Sequence, residues 1–136
     1  MKFVFAVLFI LSGLNFTFGQ NEQAPIVERE FTYKDWVYKD VNTGNDRNLR
    51  KITFGKKLVM VAYWSPWCPN WRNDAPIVQR LYEKYRSQGF EVIGVGEYDT
   101  VDAMKTSMER FKFTFNSVYE SESKDDREKT EHFNLR

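Results

Sequence analysis

The chain has 136 residues, 42% of them hydrophobic and 17% aromatic, with 20 Lys and Arg against 19 Asp and Glu and a single cysteine. That length carries one small domain, and a near-neutral charge with no basic stripe among the aromatics excludes a nucleic-acid partner. One cysteine excludes a disulfide closed within the chain, so any thiol chemistry has to be intermolecular.

The first nineteen residues stand apart from the rest. Lys2 precedes a nearly continuous apolar run over 3–14, and Thr17 and Gly19 supply small residues before Gln20. This reads as a secretory signal peptide cleaved near Gly19, which makes the mature protein exported, periplasmic or secreted. The run is shorter than the roughly 20 residues of a membrane span, so no stable membrane anchor is expected. No cysteine follows the cleavage point, which removes a lipoprotein anchor. Without Lys2 the basic and acidic residues balance.

Residues 20–30 are polar, contain Pro25 and form an extended lead-in to a domain over 31–136. Phe31, Tyr33, Trp36 and Tyr38 alternate with polar residues and predict a strand over 31–40. The cluster Asn42, Thr43, Gly44, Asn45 and Asp46 is a turn, and a second short strand over 49–54 would complete a hairpin. Residues 58–64 are continuously apolar, the pattern of a strand covered on both faces, and make the best candidate for the central strand.

The segment Trp64, Ser65, Pro66, Trp67, Cys68, Pro69, Asn70, Trp71 and Arg72 follows that strand. Beyond it, Val78, Leu81, Tyr82 and Tyr85 fall on one helical face, with Gly89 as a stop. A strand over 90–96 comes next, then a helix capped by Thr100 and striped by Val101, Met104, Met108 and Phe111. Residues 113–120 suggest a third short strand, and the charged tract 121–131 a solvated loop leading into a short helix over 127–133. The alternation of strand and helix predicts a mainly parallel α/β sheet flanked by helices.

Cys68 carries the candidate chemistry. As N-cap of the following helix, with Pro69 at the first helical position, it faces unpaired backbone N–H groups and the positive end of the dipole, which favours a thiolate. The alternative is a small buried hydrophobe, a common fate of a lone cysteine. Ser65, three residues earlier, is a candidate for supporting the thiolate or a bound peroxide, against a plain turn role. Trp71 is either a stacking surface or packing. His132, the only histidine, has no companions with which to form a zinc set, and neither a metal nor a cofactor is expected.

From Tyr63 to Arg72, with Pro76 beyond and with 81–85 and 89–95 in register, the sequence resembles the extracytoplasmic TlpA/ResA-type thioredoxin-like proteins, which belong with the AhpC/TSA redoxins. The resemblance implies a thioredoxin fold in which Cys68 is the attacking thiol of an oxidoreductase with antioxidant or thiol-disulfide exchange activity. Trp67, Pro69, Asn70 and Trp71 complete its active-site motif, and Pro76 is the helix-kinking proline. Its partners would be thiol or disulfide proteins, or small thiols. Trp71 stands where the family has its resolving cysteine, which implies a monothiol mechanism with an external resolving thiol. Phe133, Asn134, Leu135 and Arg136 match the approach to the family's cis-proline loop. The expectation is therefore a fold lacking the last strand pair and helix, with 58–64 exposed for self-association. The competing expectation is a catalytically silent binding or structural domain, or a truncated pseudo-enzyme.

Overall fold

Local signals and the resulting elements agree through most of the chain, and the computed structural model describes them for residues 35–123 and for Thr130. Contacts divide the chain into units 1–32 and 33–136, and every element below belongs to the second. The leader at 1–19, the lead-in at 20–30, the strand start at 31–34, the 133–136 segment and His132 lie outside the described residues. So do the residues of the helix at 127–133, apart from Thr130.

Strand β1 (Val37–Asp40) turns through 41–45 into β2 (Asp46–Asn48), and the two pair antiparallel with Tyr38 opposite Arg47. Asp40 makes this turn: its Oδ1 accepts the N–H groups of Asn42 and Thr43 at 3.0 and 2.9 Å, and its Oδ2 accepts Arg47 Nε at 3.1 Å. The hairpin closes earlier than the sequence pattern predicts. Residues 49–53 are helix α1 (Leu49–Thr53) and not a strand. The physical reason lies in Asn48, whose side chain caps the helix by accepting from Lys51 N at 3.0 Å. The cap sets Leu49 and Ile52 three apart on one helical face, where they pack with Trp36, Ile93 and Val95.

Strand β3 (Leu58–Trp64) leads to α2 (Pro69–Tyr85), a 3₁₀ turn (Arg86–Gln88) and β4 (Phe90–Gly96). Gly89 ends the helical stretch at φ 95°, a left-handed value that favours glycine. Helix α3 (Val101–Phe111) starts at a Thr100 cap that accepts from Ala103 N at 3.2 Å, and β5 (Asn116–Tyr119) follows. The buried stripe of α2 is Trp71, Ala75, Val78 and Gln79; Leu81, expected on that face, is exposed.

The strand order is β2-β1-β5-β4-β3, with β3, β4 and β5 parallel and the hairpin joined antiparallel through β1 to β5. The sheet is therefore mixed, and the hairpin extends it through the β1–β5 pairing. The central position suggested by the apolar run of β3 is not observed; β3 is outermost among the described strands, in line with the expectation of 58–64 at an exposed edge. Two successive crossovers, β3-α2-β4 and β4-α3-β5, step across the sheet in one direction and leave the first strand outermost among the described strands. Leu58, Met60 and Val61 are exposed, whereas β4 is buried from Glu91 to Gly96. A continuous apolar run reports two apolar faces, not a place in the sheet.

Both crossover helices lie on one face. There Ala62, Trp64 and Val92 meet Trp71, Ala75, Val78, Met104 and Met108. The opposite face packs Ile93, Val95 and Val118 against Trp36 and Leu49. Among the described residues no helix is long and apolar enough to cross a membrane.

Candidate functional site

The C-terminal ends of the parallel strands and the N-terminus of α2 meet at Cys68. A turn closes just before the helix, with Cys68 N–H donating to the carbonyl of Ser65 at 3.0 Å. Cys68 has φ −68° and ψ 117°, extended values suited to an N-cap, and Pro69 takes the first helical position. The Cys68 carbonyl accepts Arg72 N–H at 3.1 Å, and Arg72 Nε donates to the Pro66 carbonyl at 3.2 Å. The sulfur makes no capping hydrogen bond; it is a free, half-buried thiol at the start of a 17-residue helix.

The neighbouring residues divide by exposure. Trp67 is 46% exposed, and its indole Nε1 donates to the carbonyl of Tyr98 at 3.2 Å. Asn70 is exposed, while Ser65 is buried, and the contact it shows toward Cys68 is through its backbone carbonyl. Pro76 lies inside α2, where it supplies no N–H to the helix.

Trp71 points the other way, into the core. Its ring stacks on Trp64 with centroids 5.7 Å apart and meets Phe113 edge-on at 5.5 Å, and Phe113 stacks on Phe115 at 4.8 Å. Among the described residues, neither Trp64 Nε1 nor Trp71 Nε1 has an acceptor. At the third position of α2 the chain thus has a packed aromatic cluster.

Tyr98 is the site residue that the sequence pattern misses. It follows β4 in a left-handed conformation, φ 58°, which a bulky residue adopts only when its surroundings impose it. Its N–H donates to Ser121 Oγ at 2.9 Å and its hydroxyl shares a hydrogen bond with Thr130 Oγ1 at 2.7 Å. Burial pushes the Tyr98 phenol above its ordinary range, and the neighbouring Glu97 adds to this against the bond to Thr130. The available signal was weak: an aromatic two residues past a buried strand, in a short loop before a helix cap. Among the described residues no group of three or more His, Cys, Asp or Glu side chains gathers to hold a metal.

The parallel β3-α2-β4-α3-β5 unit with a cysteine at the head of its first helix defines a thioredoxin-like α/β protein. The structure aligns with the thioredoxin domain of a thiol-disulfide oxidoreductase from Bacteroides vulgatus with a TM-score of 0.62 and 24% identity, covering 76% of this chain and 70% of that one. It also aligns with a secreted disulfide oxidoreductase of Mycobacterium tuberculosis with a TM-score of 0.56 and 17% identity, over 63% of this chain and 60% of that one. The AhpC/TSA family profile matches residues 21–128, and the chain belongs to that family. Among curated relatives, the thiol-disulfide oxidoreductase ResA of Geobacillus thermodenitrificans is 27% identical over 111 residues, 80% of this chain. ResA of Oceanobacillus iheyensis is 23% identical over 113 residues, 82% of this chain and 54% of its own. The chain spans 62% of the length of the Geobacillus protein. The expected TlpA/ResA-type redoxin and thioredoxin-like fold are borne out.

Proposed function

We propose that this protein is an exported redoxin that exchanges thiols and disulfides through Cys68 alone. The observation that carries the proposal is a free, uncapped, half-buried thiol at the N-terminus of α2 in a thioredoxin-like frame. The Cys68 sulfur, as thiolate, attacks one sulfur of a partner disulfide. A Cys68-partner bond forms, and the other partner sulfur leaves as a thiolate that takes up a proton. An external thiol then attacks the mixed disulfide, leaves with the partner sulfur as a new disulfide, and returns Cys68. Trp71 holds the place from which an internal thiol would act, so resolution is intermolecular.

In this reading residues 1–19 direct export, 20–30 lead into the domain, and partners are thiol or disulfide proteins or small thiols. Pro69 and Asn70 form the first turn beneath the sulfur, and the exposed β3 allows association between copies. Peroxide reduction with Ser65 in support draws less from the geometry, because the contact Ser65 shows toward Cys68 uses its main chain.

The test incubates reduced protein with glutathione disulfide and follows intact mass. A single adduct that is absent in Cys68→Ser and cleared by added thiol is expected. If Cys68 gains an adduct only after denaturation, the silent-domain reading replaces this one. Oxidation of Cys68 by peroxide with no disulfide adduct would replace it with the peroxidase reading.

A further inference from the structure

We infer that Tyr98 is a positioning residue that fixes Trp67, and with it the approach to Cys68, through a main-chain carbonyl presented from the left-handed region. This inference rests on the thiol-exchange reading for its consequence and on geometry for its existence.

Trp67, 46% exposed, immediately precedes Cys68 in the chain. Its backbone lies in the turn closed by the Cys68 N–H to Ser65 carbonyl bond. A half-exposed ring so placed on a short turn is free to change rotamer beside the neighbouring residue unless its far end is held. The far end is held by a bond across 31 positions of sequence, from Trp67 Nε1 to Tyr98 O.

The direction of that carbonyl depends on the φ and ψ of Tyr98, and φ there is 58°. Three contacts keep it so. The Tyr98 N–H bonds to Ser121 Oγ, the hydroxyl pairs with Thr130 Oγ1, and the ring is buried at 9% exposure. Ser121 and Thr130 are themselves buried, at 4% and 1%. The next residue back is tied as well, since Glu97 N–H donates to the Trp64 carbonyl at 2.9 Å at the end of β3. Tyr98 thus joins the segment after β5 to the turn that carries Cys68, and its strained backbone is the joint.

The test separates backbone direction from bulk. Tyr98→Val and Tyr98→Asn both delete the ring and hydroxyl, but a β-branched residue rejects positive φ whereas asparagine accepts it. Two quantities are read on the full chain: hydrogen exchange of the Trp67 indole N–H by NMR, assigned with Trp67→Phe, and the rate of reaction of Cys68 with glutathione disulfide. Tyr98→Val is expected to speed indole exchange and slow the cysteine reaction by about fivefold, the factor that one ordinary hydrogen bond represents. Tyr98→Asn is expected to recover most of both. Trp67→Phe, which removes the donor from a half-exposed ring with little risk to folding, is expected to reproduce the slow cysteine reaction. Equal behaviour of Val and Asn, unchanged indole protection in Tyr98→Val, or a native cysteine rate in Trp67→Phe would overturn the inference. If native Cys68 does not react at all, the thiol-exchange reading fails, while the indole measurement still decides whether Tyr98 holds Trp67.

Discussion

Replacing Trp71 separates the energetic value of its ring from the penalty of its indole nitrogen. The side chain is 7% exposed and packs on Trp64 and Phe113. A buried tryptophan removes on the order of 200 Å² from water, about 5 kcal/mol at ~25 cal/mol per Å². Truncation to Ala is expected to cost about 3–5 kcal/mol, once partial collapse of the site is allowed for. Trp71→Phe keeps the stack and loses roughly 40 Å³, which at the cavity cost per unit volume is about 1 kcal/mol. It also deletes a buried N–H that has no acceptor among the described residues, a group whose burial costs about 1–3 kcal/mol. The two terms offset each other, so Trp71→Phe is expected to be neutral or stabilising by about 1 kcal/mol. Urea unfolding followed by circular dichroism, with the slope held equal between variants, reads both differences. A loss of about 2 kcal/mol or more in Trp71→Phe would refute the reasoning, because the indole N–H must then be satisfied in the native state.

Burial raises the proton affinity of Asp40, but the N–H groups of Thr43 and Asn42 and the Arg47 guanidinium outweigh it and hold the carboxyl below its usual range. A depressed carboxylate stabilises above its unfolded value of about 3.9, and that stability is lost as pH falls through the folded value. The acid limb of stability below about pH 4 is therefore expected to flatten in Asp40→Asn, as read by thermal melts across pH. A Cβ on Gly96 would sit 2.6 Å from Met104 Sδ in a fully buried pocket, so Gly96→Ala is expected to cost about 1–3 kcal/mol. Paired with Met104→Ala it should lose less than the sum of the two single changes; strict additivity in a double-mutant cycle would count against that contact. Val61→Lys, at a position 38% exposed on the outermost described strand, is expected to lower concentration-dependent light scattering. Unchanged scattering would remove β3 as the associating surface. Trp71→Cys is expected to shorten the life of a Cys68 mixed disulfide while destabilising the reduced protein by about 3 kcal/mol; an adduct as long-lived as in the native chain would argue against internal resolution from that position.

The parts of the fold legible in the sequence are those whose signals are local. Thr100 and Cys68 with Pro69 mark two helix starts, Gly89 marks a stop, and β3 and β4 announce themselves as apolar runs. The misreading at 49–53 has a local cause too, since the asparagine cap competes with a β-like pattern from Ile52 to Phe54 and prevails once Leu49 and Ile52 share a core with Trp36. Apart from the resemblance, which puts 58–64 at an exposed edge, no local signal carries the rank of β3 in the sheet. That rank follows from the common hand of two crossovers, a property of topology that no window of residues contains. Tyr98 was hidden for the same reason: its partners lie 31, 23 and 32 positions away.

The position after Asn70 shows how packing and chemistry interact at the head of α2. The third helical residue faces inward, as its place on the stripe with Ala75 and Val78 requires. In this chain the volume there belongs to an aromatic cluster that runs from Trp64 through Phe113 to Phe115. Substituting the indole by a small thiol opens a void among closely packed rings, since Trp64 and Phe113 both contact the Trp71 ring directly. A second cysteine at this position therefore carries a packing cost, and in the proposed exchange reaction the thiol that resolves Cys68 would come from another molecule. With Trp71 committed to the core, Trp67 is the exposed aromatic next to Cys68 in the chain, and the proposed anchoring by Tyr98 acts on that ring across 31 positions of sequence.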